Sequence, residues 1–232
     1  MKAPASPRKQ KAQPLPETPR PARRFRPRLV AAGSMAITMS MLIVLHLLSV
    51  IDLWPFDAAA PQAVDDPDAP LASFYSPSVK HWKPQIHEWA AEYGLNPNVV
   101  AIVIQIESCG DPSVISWAGA TGLMQVMPFH FDNGENMLNP ATNMQHGMEV
   151  FMECLYQFSD GDLGLALACY NGGPSVTLSD PEYWALETQN YYRWGTGLWQ
   201  DVVRGHNKSA TLDEWLAAGG ARLCTQAEKR IS

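Results

Sequence analysis

The chain carries one long apolar run followed by several short ones with helical spacing. Leu29 to Ile51 holds 23 residues without a formal charge, and at about 1.5 Å per residue such a helix crosses a hydrocarbon core of about 30 Å. The run therefore predicts a transmembrane helix. It is longer than the roughly 7 to 15 apolar residues of a cleaved signal peptide, which favours a permanent signal anchor. Ala58-Ala59-Ala60 resembles a small-residue cleavage site, but Pro61 directly after it is an awkward partner.

Beyond this run the spacing changes. Pro84 to Tyr93 reads as a short amphipathic helix stopped by Gly94. Asn96 can then cap, and Pro97 can open, a buried helix running to about Ser108. Gly119 to Met127 is a shorter helical candidate. In Thr142 to Phe158 the apolar residues Met144, Met148, Phe151, Met152 and Leu155 recur at spacings of three and four, as one helix face requires. Asp162 is placed to cap Leu163 to Tyr170, with Gly172-Gly173-Pro174 as the stop, and Thr211 with Glu214 has capping-box spacing before Trp215. No period-two strand stands out, so the predicted class for this part is all-α.

Charge divides the chain further. Residues 1–28 carry nine Lys or Arg, one acidic residue (Glu17) and seven prolines, a composition that cannot bury enough apolar surface to order itself. With this basic arm before the apolar run and Asp52, Asp57, Asp65, Asp66 and Asp68 after it, the positive-inside rule puts the N-terminus in the cytoplasm and the rest outside the cell membrane. Residues 52–80, rich in Pro, Ala and Asp, read as a spacer. Residues 81–232 are long enough for one well-buried core. Past residue 28 there are eight Lys or Arg against 22 Asp or Glu, a balance that argues against nucleic acid as a partner. Cys109, Cys154, Cys169 and Cys224 all fall on the exported side, where disulfides form, with three possible pairings. No Cys-x-x-Cys spacing or histidine repeat suggests a metal, and no cofactor is expected.

Glu107 ends the apolar run Val99 to Ile106. A carboxylate is costly to ionise beside hydrocarbon, so this position favours the protonated form that a general acid needs. Four segments then follow in order: Glu107-Ser108; Ser116 with Gly119-Ala120; Gly122-Leu123-Met124-Gln125-Val126-Met127-Pro128; and Ala168-Cys169-Tyr170-Asn171-Gly172-Gly173-Pro174. Together with Asn139-Pro140 and Asn143 to Gly147, they resemble the catalytic domain of the soluble lytic transglycosylase (SLT) family over roughly residues 81–199. The resemblance implies a lysozyme-like superfamily domain, similar to goose-type lysozyme, with a substrate groove. It also implies cleavage of the β-1,4 bond between N-acetylmuramic acid and N-acetylglucosamine in peptidoglycan glycan strands, leaving 1,6-anhydro ends.

On that resemblance Glu107 is the single catalytic acid and base, since no second carboxylate matches a family motif. Ser116, Met124, Gln125, Tyr170 and Asn171 are implied substrate contacts, with a turn or cap role the alternative for Ser116 and core packing the alternative for Met124; Tyr191, at the end of Glu187 to Tyr191, aligns best with a Tyr that orients Glu107, with Tyr192 and Tyr183 as the neighbouring alternatives. Trp117, Trp184, Trp194 and Trp199 could stack on sugars or fill the core. Cys109 and Cys169 adjoin two of the site segments, so at least one disulfide is expected to brace the groove. The alternatives are a goose-type muramidase that uses water, a catalytically silent wall-binding module, and an accessory that opens the wall for a secretion machine.

Overall fold

A helix with no polar face organises the structure. The computed structural model describes residues 63–231. The basic arm and the predicted transmembrane helix at 29–51 lie outside the described residues. Among the described residues no helix is long and apolar enough to cross a membrane.

The short helix α1 (Pro77–His81) leads into α2 (Lys83–Tyr93), which Gly94 ends in the left-handed conformation at φ 65°. The central helix α3 (Pro97–Glu107) follows, with Pro97 in its first turn and the Asn96 side chain accepting from the Asn98 amide. Every residue of α3 from Pro97 to Gln105 is buried. A helix this apolar, whose polar Asn98 and Gln105 are themselves buried and hydrogen-bonded, cannot lie at a surface, so other elements must enclose it. Helix α2 packs along α3, as does the later α6 (Leu186–Val203).

Helix α4 (Pro140–Glu153) starts from an Asn139 cap and runs into a π-helical turn, Cys154–Phe158. Helix α5 (Leu163–Gly172) is capped by Asp162, whose carboxylate accepts from Leu165 N at 2.8 Å, and it packs closely on α6. The chain ends in α7 (Ala210–Trp215), a second π-helical turn (Leu216–Gly220) and α8 (Ala221–Ile231). The cap of α7 is Ser209, which accepts from Leu212 N at 2.9 Å, in place of the expected Thr211.

Two further expectations differ from the structure. Gly119 to Met127 is not helical: Gly119, Gly122 and Gln125 all have positive φ (93°, 76° and 50°), a region no right-handed helix visits. Thr121 instead forms isolated antiparallel bridges with Ile115 and Val126, and no longer strand occurs among the described residues. The second half of the expected spacer also packs on the domain. Ala69, Tyr75 and Val79 are buried in the core, the Tyr75 hydroxyl donates to the Asn98 carbonyl at 3.2 Å, and Asn96 N donates to Val64 O at 2.7 Å.

The four cysteines pair as Cys109–Cys224 and Cys154–Cys169. The first bridge ties α8 to the residue after Ser108. Close by, the fully buried Asp111 carboxylate receives Arg230 Nη1 at 2.8 Å. The second bridge holds the end of α4 against α5. In the chain-entropy account a cross-link stabilises more when it closes a longer loop, and the two sequence separations are 115 and 15 residues. Replacing Cys109 and Cys224 together by Ser should therefore lower the unfolding free energy by about 4 to 5 kcal/mol, against about 3 kcal/mol for Cys154 with Cys169. Urea unfolding of the two double variants would check the order.

Candidate active site

Glu107 is the last residue of α3, where the helix emerges from the core. The chain turns away at once, because Ser108 is buried and its hydroxyl donates to the Leu123 carbonyl at 2.8 Å while accepting from Gly110 N at 3.1 Å. The end of α3 is thereby fastened to the segment 121–126, the bridged loop that faces it.

That loop is held from its other side by α4. The buried Asn143 amide donates to Thr121 O at 2.7 Å and to Met137 O at 3.0 Å, and its oxygen accepts from Met124 N at 2.9 Å. Gly122 is required beneath it: a Cβ there would lie 2.5 Å from the Asn143 side chain, at φ 76°. One turn along α4, Gly147 leaves the space that the Met124 side chain fills, since a Cβ would stand 2.6 Å from its sulfur. Asn143 and Gly147 are four apart and share a helix face, so a single face of α4 fixes both the backbone and the packing of the loop.

The left-handed backbone at Gln125 sends neighbouring side chains in opposite directions. Met124 is wholly buried. Its expected contact with substrate is replaced by packing on Gly147, and its carbonyl accepts from the Tyr170 hydroxyl at 2.8 Å. Gln125 lines the groove and donates its amide nitrogen to Val114 O at 3.1 Å and Gly122 O at 3.0 Å, so its amide oxygen is not used in these two bonds. Ser116 holds the adjoining turn: its hydroxyl accepts from Ala120 N at 3.0 Å and its amide donates to Ala120 O at 2.8 Å.

Helices α5 and α6 supply the opposite side. Tyr170 and Asn171 lie near the C-terminus of α5, and the Asn171 oxygen accepts from the Thr188 hydroxyl of α6 at 2.8 Å, which turns its NH₂ outward. Tyr191, on α6, is buried behind Glu107. Its hydroxyl interacts with the Glu107 carboxyl and lowers that group's pKa, yet it makes no fully formed hydrogen bond.

These elements enclose a groove of about 440 Å³. Five of the seven residues expected from sequence line it: Glu107, Ser116, Gln125, Tyr170 and Asn171. Met124 and Tyr191 stand behind its wall. Trp117, left open between sugar stacking and core, also lines it, as do His130 and Glu187, which were not among the expected site residues. Glu187 precedes Tyr191 by one helical turn and so shares its face, a signal that was present in the sequence.

The environment acts strongly on Glu107. Although it opens onto the groove, desolvation by the surrounding hydrocarbon pushes its pKa up to about 8, opposed by Tyr191 and assisted by the negative charge of Glu187. Burial, and then the nearby Glu107 charge, raises the hydroxyls of Tyr170 and Tyr191 well above the usual phenol range. Both phenols remain donors at any physiological pH. A carboxyl that is neutral near pH 7 can donate a proton and afterwards take one back.

Residues 84–183 match the family model described as "Transglycosylase SLT domain". This segment is an SLT domain. Among curated proteins the chain is 35% identical over 112 residues to the "Transglycosylase" of Enterobacteria phage PRD1, covering 47% of this chain and 40% of that protein. It is 27% identical over 127 residues to "Membrane-bound lytic murein transglycosylase C" of Histophilus somni, covering 47% and 35%. A shorter match, 43% over 47 residues, is to "Endo-type membrane-bound lytic murein transglycosylase A" of Klebsiella pneumoniae, covering 20% and 23%. The chain thus spans less than half the length of these relatives. A solved structure of an inactive mutant of the lytic transglycosylase Slt from Pseudomonas aeruginosa aligns over 61% of this chain and 24% of that one, at 22% identity and a TM-score of 0.39. The SLT segment contains Glu107, the 121–126 loop and the Tyr170-Asn171 pair, whereas α6 with Glu187 and Tyr191 lies past its end.

The raised pKa of Glu107 has a stability consequence of definite sign. The folded protein holds this proton more tightly than the unfolded chain, whose carboxyl has the ordinary value of 4.5. The associated stability is complete below about pH 4.5 and is lost progressively as pH rises through about 8. Glu107→Gln keeps the shape and removes the titration. Its melting temperature should exceed that of the parent by an amount that grows from pH 5 to about pH 8 and then levels off, as scanning calorimetry across that range would show.

Proposed function

We propose that the chain is a membrane-anchored, exported lytic transglycosylase that cleaves the β-1,4 bond between N-acetylmuramic acid and N-acetylglucosamine in peptidoglycan. The observation that carries this reading is Glu107, a carboxyl kept protonated near neutrality at the floor of a groove in an SLT domain. Glu107 gives its proton to the glycosidic oxygen as the bond to the anomeric carbon breaks. The substrate's own 2-acetamido oxygen stabilises the electron-poor anomeric carbon. The muramic acid 6-hydroxyl then attacks that carbon and passes its proton to the Glu107 carboxylate, which restores the enzyme and closes a 1,6-anhydro ring.

The neighbouring amides suit such a substrate. The free oxygen of Gln125 can accept from an acetamido N–H, and the free NH₂ of Asn171 can donate to an acetamido carbonyl. Tyr191 orients the acid through its hydroxyl. Anchoring is supported by the uncharged run at 29–51 and by the basic arm before it, and the relatives from Histophilus and Klebsiella are themselves named membrane-bound. A tether of this kind confines cleavage to wall within reach of the membrane.

Glu187 favours a second reading. It is an exposed carboxylate lining the same groove, near enough to Glu107 to raise its pKa. A carboxylate so placed could activate water, making the enzyme a muramidase that leaves reducing ends.

Mass spectrometry of peptidoglycan digested by the full chain separates these outcomes. Anhydro-muropeptides are expected from the parent, and Glu107→Gln should reduce their release by at least about a thousandfold. Release should also decline as pH rises through about 8, where Glu107 loses its proton. Reducing ends that fall selectively in Glu187→Gln would establish hydrolysis instead. Undiminished cleavage by Glu107→Gln would overturn both readings.

A further inference from the structure

We propose that Trp117 is the stacking platform of a saccharide subsite at the rim of the groove, receiving one pyranose ring of the glycan strand. This inference rests on the glycan-cleaving reading above. The structure separates Trp117 from the other three tryptophans that the sequence left open. Trp184 is buried, donating its indole N–H to Val176 O at 2.9 Å, and Trp194 and Trp199 pack against the core. Trp117 alone of these four is 100% exposed while lining the cavity that holds Glu107.

Full exposure is an expensive way to keep an indole. Burying such a ring is worth several kcal/mol at about 25 cal/mol per Å² of apolar surface, and here the fold takes none of it. The backbone beneath is nevertheless fixed. Ser116 N donates to Ala120 O, Ala120 N to the Ser116 hydroxyl and Gly119 N to Ser116 O, all within 2.8 to 3.0 Å. Binding would therefore need to immobilise only the two side-chain torsions of the ring.

The surroundings continue the same surface. Gly119 abuts Pro128, whose ring Cγ would lie 3.9 Å from a Cβ built there. Pro128 opens the 3₁₀ turn Pro128–His130, from which Phe129 projects 75% exposed and His130 lines the groove. Ile115, 60% exposed, precedes the Trp117 turn. A large flat apolar face beside amide and hydroxyl groups matches a hexose, whose ring presents a face of polarised C–H groups to the negative face of an aromatic and hydroxyls around its edge. The subsite is continuous with the groove through Ser116 and Ala118, which line it on either side of Trp117.

The test measures binding of soluble, peptide-free glycan strands to the full chain in detergent, in the Glu107→Gln background so that nothing is cleaved. Trp117→Ala should weaken binding about tenfold with the melting temperature unchanged, and Trp117→Tyr, which keeps an aromatic face, should restore most of the loss. Equal affinity in Trp117→Ala and its parent would overturn the proposal. So would absence of saccharide binding in the parent, or a change in self-association by sedimentation with saccharide affinity untouched, which would make Trp117 a contact between copies. Product release by the protein with Glu107 intact is scored separately. Trp117-dependent binding without release would remove the catalytic reading and leave the subsite standing.

Discussion

The structure depends on the complete burial of α3. A helix buried around its whole circumference, with only Asn98 and Gln105 polar before Ile106, is stable only when other elements cover every side, and the remaining helices are arranged around that requirement. Its consequence for chemistry is at its end. Ile106 and Glu107 are the residues of α3 that reach an opening, and Glu107 arrives there from inside the core, so its carboxyl has hydrocarbon on one side and a groove on the other. Desolvation follows from the same packing that stabilises the domain, and it raises the Glu107 pKa to about 8. The acid is tuned by the fold as a whole, with Tyr191 and Glu187 as opposing adjustments.

The groove's walls are built by economical means. One face of α4 supplies Asn143 and Gly147, and these determine how the 121–126 loop runs and where Met124 lies. Ser108 joins the same loop to the end of α3. The end of α3 and the 121–126 loop are thus positioned by linked hydrogen bonds, and a displacement of either is felt by the other. The disulfides extend this coupling outward. Cys109–Cys224 anchors α8 beside the acid, and Cys154–Cys169 fixes α4 to α5 next to Tyr170. The expectation that a disulfide would brace the groove is met by both bridges.

Helix boundaries were readable where a cap coincided with an apolar run. Asn96-Pro97 and Asp162 each begin a helix through a side-chain oxygen that accepts a backbone amide, a local interaction that sequence displays directly, whereas the helix expected from Thr142 begins two residues earlier, at Pro140 after the Asn139 cap. Gly119 to Met127 misled because its composition is compatible with a helix. The conformation there is imposed by contacts with Asn143, roughly twenty residues away, which no local pattern records. The packing of residues 63–80 on the domain escaped for a similar reason, since its isolated apolar residues acquire meaning only against α3.

By itself the sequence determined the nearly all-helical class, the position of the central buried helix and the carboxyl at its end, because these follow from hydrophobic periodicity and capping within short stretches. It also placed five of the groove-lining residues through their resemblance to SLT motifs. Only the tertiary structure decided that Met124 turns inward while Gln125 faces the groove, which cysteines pair, and that Glu187 shares the groove with Glu107. It alone distinguished the exposed Trp117 from tryptophans of the core. These outcomes depend on which distant segments meet, and side-chain direction is settled by the packing of those segments against one another.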